Sequence, residues 1–148
     1  KKLLLTLLTC GLAMTASASD RDAIKFDNHI SGPTLTQADL EGKIVVAHQW
    51  QAIEAVAIIS QGFEKIARRK KTKPIVFQVW HSADSTDLAK KNAKDLKLKL
   101  PIYHGNYIKF EAWPNVLIFD VDGKIIYNGK PDKKFERALN KAVRDMKK

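Results

Sequence analysis

A single cysteine, Cys10, occurs in 148 residues, so one core must hold without an intrachain disulfide. No apolar run reaches the roughly 20 residues of a membrane span; the run from Leu3 is broken by Thr6, Thr9, Cys10 and Gly11. The four histidines, His29, His48, His81 and His104, lack the paired spacing of zinc sites, so no metal and no other cofactor is expected. Repeats, low-complexity tracts and linkers are absent from residues 19–148, which excludes a repeat array and a second domain there.

Positive charge and a leader-like start are what the chain does have. Lys1 and Lys2, the apolar run and the small residues Ala16-Ser17-Ala18 read as a secretory signal over residues 1–18, cleaved after Ala18. A lipid-anchored Cys10 fits less well, because Thr9 stands where a small residue is expected. Cleavage would leave residues 19–148 as one cysteine-free domain with no transmembrane segment, periplasmic or secreted. Removing Lys1 and Lys2 takes the formal charge from +10 to +8, which favours anionic partners at low salt.

From Gly42, "GKIVVAHQW" is a β-branched and apolar run that reads as a strand buried on both faces. Ile53, Val56, Ile59, Phe63 and Ile66 then recur at helical spacing, with Glu64, Lys65, Arg68 and Arg69 assigned to the other faces. The cationic run "ARRKKTK" suits a helix C-terminus, and Pro74 opens a second buried strand, "PIVFQVW". Asp84 or Ser85 is placed to cap a further helix with Leu88, Ala89, Ala93 and Leu96 as its apolar stripe. "NVLIFDVDGKIIYNG" reads as two strands joined at Asp122-Gly123. Pro131-Asp132 starts a last helix whose apolar face is Phe135, Ala138, Leu139, Ala142, Val143 and Met146. The order predicts a single α/β domain with a central mixed sheet flanked by helices.

That order, with "LTQADLEGKIVVAHQW" and "WPNVLIFDVDGKIIYNG", resembles the thioredoxin-like fold family, and the TlpA-like secreted thioredoxin domains in particular, over residues 34–146. The resemblance implies a Cys-x-x-Cys pair beginning four residues after Trp50, at the start of a helix. Glu54 and Ala57 occupy those two positions. Disulfide exchange needs one thiolate to attack and a second thiol to resolve the mixed disulfide, and a carboxylate and a methyl group do neither. The resemblance also makes Pro114 the cis-proline facing that helix start, where an extended peptide pairs with the backbone.

Trp50, Glu54, Ala57, Trp113 and Pro114 are accordingly the candidate binding residues. Glu54 is also the one candidate catalytic group, a carboxylate at the positive end of a helix dipole. The bland alternatives are a first-turn glutamate that steadies its helix, tryptophans that are partly buried core, and an ordinary trans proline. Three functions remain open. One is a redox-inactive module that binds a peptide or protein partner in the cell envelope. Another is a thioredoxin-family oxidoreductase, and the third is an enzyme that takes its sulfur from a glutathione-type ligand. The lysine-rich faces, including Arg68 to Lys71, Lys90, Lys91, Lys97 and Lys99, suit anionic polymers. Without interleaved stacking aromatics they do not suit nucleic acid.

Overall fold

Residues 45–49 carry both the pattern and the burial of a central strand, and the rest of the molecule is arranged around them. The computed structural model describes residues 19–50, 54–68, 74–80, 86–105 and 115–146. In chain order the elements are β1 (His29–Ser31), α1 (Gln37–Leu40), β2 (Val45–Trp50), α2 (Glu54–Ala67) and β3 (Ile75–Trp80). They continue with α3 (Thr86–Asp95), β4 (Ile102–His104), β5 (Val116–Phe119), β6 (Ile125–Gly129) and α4 (Lys133–Asp145). The six strands form one sheet in the order β1-β4-β3-β2-β5-β6.

β2 pairs in parallel with β3, from Val45 opposite Ile75 to Trp50 opposite Trp80. It pairs antiparallel with β5, from Val45 opposite Phe119 to His48 opposite Val116. A parallel pair needs a crossover, and α2 supplies it. Alternation along the strands divides the core. Val45, Ala47, Phe77, Val79, Leu117 and Phe119 pack on one face with Ile24 and Leu40 from the N-terminal segment. Ile44, Val46, Val76, Val116 and Ile118 pack on the other with Phe63 of α2 and Phe135 and Leu139 of α4. The single α/β domain with a mixed sheet and flanking helices is as the sequence predicts.

Several local expectations are corrected. β1 and β4, three residues each, carry too short a pattern to be read in sequence; they pair antiparallel with one another, and β4 pairs in parallel with β3. Leu88 and Met146 are exposed rather than part of apolar stripes. Leu88 lies off the α3 face on which Ala89 and Ala93 pack with Ile102, and Met146 follows the last turn of α4 as its C-cap. Between β5 and β6 the connection runs from Asp120 to Lys124 rather than through two residues alone. The Asp120 Oδ1 accepts from the N–H groups of Asp122 (3.0 Å) and Lys124 (2.9 Å), and Gly123 takes a φ of +81°.

The first described residues, 19–21, are fastened to that turn. The Ser19 hydroxyl donates to the Gly123 carbonyl at 3.1 Å and the Arg21 N–H donates to the same oxygen at 3.0 Å. The Asp20 carboxylate accepts from the Ile125 N–H at 2.9 Å. A Cβ on Gly123 would stand 2.0 Å from the Ser19 Oγ, so this turn admits no side chain there. At the other end, Asp132 caps α4 by accepting from Lys134 N–H (2.8 Å) and Phe135 N–H (3.2 Å). The Phe135 hydrogen bond, more than the others, holds the Asp132 carboxyl below its ordinary range.

Glu64 is the largest departure from the amphipathic pattern, because it is buried rather than on a solvated face. Its Oε1 accepts from the Lys99 N–H ahead of β4, and its Oε2 pairs with Arg68 at 3.0 Å. Burial of the carboxylate follows from its being the acceptor for a backbone donor that would otherwise be left unpaired. Replacing it by alanine, Glu64→Ala, is expected to lower stability by about 1–3 kcal/mol, the cost of an orphaned N–H. Arg68→Ala breaks a pair whose arginine is 67% exposed and should cost under about 1 kcal/mol. Urea unfolding of both variants checks this, and equal losses would place the main contribution in the ion pair instead of the Lys99 N–H.

Candidate functional site

At the C-terminal ends of β2 and β3, Trp50 stands opposite Trp80, and Trp80 stands opposite His104 on β4. α2 begins four residues beyond Trp50, at Glu54, so its amino end lies at the same end of the sheet as those tryptophans. On the other side of β2 the Gln49 N–H donates to the Asn115 carbonyl at 3.0 Å. The chain entering β5 therefore meets β2 one residue short of Trp50. Asn115 is fully buried; its Oδ1 accepts from the Val116 N–H at 2.7 Å and its Nδ2 donates to the Asn128 Oδ1 at 2.8 Å. This pins the start of β5 to β6.

Of the sequence candidates, Trp50 falls in β2 and Glu54 and Ala57 fall in the first turn of α2. Trp113 and Pro114, with the cis-proline assignment, lie outside the described residues, as do His81 and the proposed caps Asp84 and Ser85. Among the described residues no group of three or more His, Cys, Asp or Glu side chains is placed to hold a metal ion. No described helix is long and apolar enough to cross a membrane.

The sequence leaves His48 as a structural or surface histidine with no role at the site. It is fully buried on the α2 side of β2 and stacks on Phe63, with ring centroids 4.4 Å apart and an interplanar angle of 26°. Neither ring nitrogen has a hydrogen-bond partner among the described residues, and neither has the hydroxyl of Ser60, buried on α2. Two polar residues inside the otherwise apolar strand run "IVVAHQW" were the available signal. The burial of both was readable from the run, but the lack of partners for the His48 ring among the described residues was not, because that depends on what α2 brings over it.

Burial pushes the His48 pKa down to about 3 from an ordinary 6.5, since desolvation disfavours the charged imidazole. The imidazole is thus neutral in the folded state over the physiological range. Between pH 6.5 and about 3 the unfolded chain binds a proton that the folded chain does not, so folding stability falls as pH falls through that window. The contribution approaches about 1.4 kcal/mol per pH unit inside the window. A His48→Leu variant is expected to flatten the acid limb of stability against pH relative to the parent. Denaturant titrations at pH 7, 6, 5 and 4 (about one unit apart, the scale on which one group titrates) check this, and parallel profiles would show that His48 does not carry it.

No family model and no curated protein matches the sequence. Solved structures do match. A thiol-disulfide isomerase from Corynebacterium glutamicum superimposes with a TM-score of 0.63 at 17% identity, covering 81% of this chain and 92% of that one. The thioredoxin domain of a thiol-disulfide oxidoreductase from Bacteroides vulgatus gives 0.60 at 17% identity, covering 78% and 90%. At such identities the likeness concerns the path of the chain. With a mixed sheet in which β2 lies between parallel β3 and antiparallel β5, with α2 starting at the end of β2 and α4 closing the chain, this protein has the thioredoxin-like fold.

Proposed function

We propose that this protein is an exported, redox-inactive thioredoxin-like domain that binds an extended peptide or protein segment between the start of α2 at Glu54 and the segment carrying Trp113 and Pro114. One observation carries the reading. Glu54 and Ala57 replace the thiol pair at the helix start, while the strand, the helix and the incoming β5 backbone that would frame a substrate are all kept. With Cys10 the only cysteine, the chain has no second thiol to resolve a mixed disulfide.

The position suits binding on general grounds. In open α/β sheets ligands settle at the carboxyl ends of strands where the neighbours change direction, and β2 has a parallel neighbour on one side and an antiparallel one on the other. An extended segment would draw affinity from main-chain hydrogen bonds and specificity from side-chain pockets, with Trp50 and Trp113 as anchors. Glu54 offers a negative charge at the helix start to a cationic or N–H group of the partner. Residues 1–18, read as a secretory signal, support export of the domain to the periplasm or beyond the cell. Exposed Lys90, Lys91, Lys97 and Lys99 give it a weak, salt-sensitive attraction to anionic polymers of the envelope.

Insulin reduction by the purified protein in the presence of dithiothreitol is expected to run no faster than the reductant alone, and calorimetry with glutathione is expected to show no saturable heat. Accelerated turnover would restore the oxidoreductase reading, and saturation would restore the thiol-ligand one. In a pull-down from envelope extract, Glu54→Lys and Trp113→Ala should each lose partners that the parent retains. Retention of every partner by both variants would move the binding surface elsewhere.

A further inference from the structure

Positive charge is concentrated in two stretches of the chain. Residues 64–73 and 90–99 carry eleven lysines and arginines against two carboxylates, Glu64 and Asp95, a net +9 of the chain's formal +10. Residues 69–73 lie outside the described residues; Arg68, Lys90, Lys94, Lys97 and Lys99 form an exposed surface without them. The fold joins the two stretches through Glu64, whose Oε1 accepts from the Lys99 N–H and whose Oε2 pairs with Arg68. Ile75, the first residue of β3, stands opposite Val45, and β4 runs parallel to β3. The ends of α2 and α3 therefore come together at the Val45 end of the sheet, a strand length away from Trp50 and Glu54.

Within α3 the signs are segregated. Ala89 and Ala93 face the core, and at about 100° per residue Asp87, Lys91 and Asp95 fall on the ridge opposite them. There each carboxylate stands four residues from Lys91. Lys90 and Lys94 share one flank, about 6 Å apart along the axis, and among the described residues neither forms an ion pair. Asp87, three residues before Lys90, is the carboxylate nearest the start of that flank. Beyond the last turn Lys97 takes a φ of +52°, the left-handed conformation usually given to glycine at a helix end. The Lys97 N–H donates to the Lys94 carbonyl and the Leu98 N–H to the Ala93 carbonyl, both at 3.0 Å, so this conformation closes the helix. The helix dipole favours a cation in that last turn, and Lys94 already supplies one. A lysine at position 97 accepts backbone strain that glycine would remove, and it keeps a cation between Lys94 and Lys99.

This arrangement suits a narrow polyanion. A membrane surface approaching α3 from outside would meet Asp87 and Asp95 on the outward ridge first, and the exposed Leu88 lies on the flank away from Lys90 and Lys94. An acidic polypeptide holds its charges at the ends of side chains and anchors through apolar pockets, whereas all five residues here are charged and exposed. None of the five offers an aromatic ring on which a base would stack. A phosphate chain carries its charge on the backbone itself, where lysine point charges and the planar fork of arginine both meet it. We propose that Arg68, Lys90, Lys94, Lys97 and Lys99 form a track for a linear polymer of phosphate groups, running along the flank of α3 and across to the end of α2. The track rests on the attraction to anionic polymers proposed above and gives it a place and a chemistry.

The test is calorimetric titration of the purified protein, at several salt concentrations, with long-chain inorganic polyphosphate, polyglutamate, an oligothymidylate and phosphatidylglycerol vesicles. Polyphosphate is expected to bind saturably and most tightly, with a log–log salt slope of about −3 for four or five contacts at roughly 0.7 each. Lys90→Gln combined with Lys94→Gln should weaken polyphosphate about tenfold and make the slope shallower by about 1–2. Lys133→Gln combined with Lys134→Gln removes the same charge from α4 and should change the affinity less than about twofold. Equal losses in the two double variants would assign the binding to net charge and overturn the track. Lys97→Gly should leave the thermal midpoint no lower, since glycine enters the left-handed region freely, and should weaken polyphosphate about threefold; an unchanged affinity would overturn its place on the track. Equal or tighter binding of polyglutamate, the oligothymidylate or the vesicles would give the surface to an acidic protein, a nucleic acid or a membrane and likewise overturn the proposal. Binding of polyglutamate without polyphosphate would leave the attraction to anionic polymers standing, whereas a protein that binds none of the four would lose both readings.

Discussion

The exclusion of water from both faces and both edges of β2 is the constraint that the other elements serve. Val45, Val46, Ala47 and His48 are fully buried, so their backbone groups must be satisfied by β3 on one side and β5 on the other. The side chains need apolar cover above and below. The parallel partner forces a crossover, which is α2, and the antiparallel partner forces a hairpin, whose far strand β6 packs against α4 through Tyr127 and Phe135. Even a polar member of the strand complies: His48 is held neutral and stacked on Phe63 rather than solvated.

The same strand fixes where chemistry or binding can occur. Since β2 runs out at Trp50 and α2 starts at Glu54, the helix start and the two strand ends converge whatever residues stand there. A thiol pair at positions 54 and 57 would use that convergence for electron transfer, because a helix start favours a thiolate. On the function proposed above, a carboxylate and a methyl group keep the shape and forgo the reaction. Fold and activity are separable here at the level of two side chains, which is why likeness to oxidoreductases informs the path of the chain and leaves the chemistry to be argued from Glu54 and Ala57.

Long periodic segments were legible in the sequence, and short or tertiary features were not. β2, α2, β3, the β5–β6 hairpin and α4 each show several turns or alternations of pattern, so their existence and order could be read directly. β1 and β4 could not, because three residues carry no period and they become strands only through pairing, β1 with β4 and β4 with β3. Glu64 looked like a surface charge because the donor that buries it, the Lys99 N–H, is 35 residues away. The burial of Ser60 and Asn115, and the lack of a partner for His48 among the described residues, were hidden for the same reason: both depend on neighbours from other elements. At the candidate site, the ordering of Trp50, Glu54 and Ala57 along one strand and one helix was legible, and the arrival of Asn115 beside Gln49 was not.

The fastening of Ser19 and Arg21 to Gly123 sets the orientation of the molecule with respect to anything joined to its front. The β5–β6 turn lies beside the Val45 end of β2, because Val45 pairs with Phe119 while His48 pairs with Val116. The strand then travels roughly 17 Å to Trp50. Ser19 thus lies at the pole opposite the C-terminal ends of β2 and β3. A tag or surface joined directly at Ser19 would therefore be held a full strand length away from the start of α2, which suits immobilisation without covering that end of the sheet.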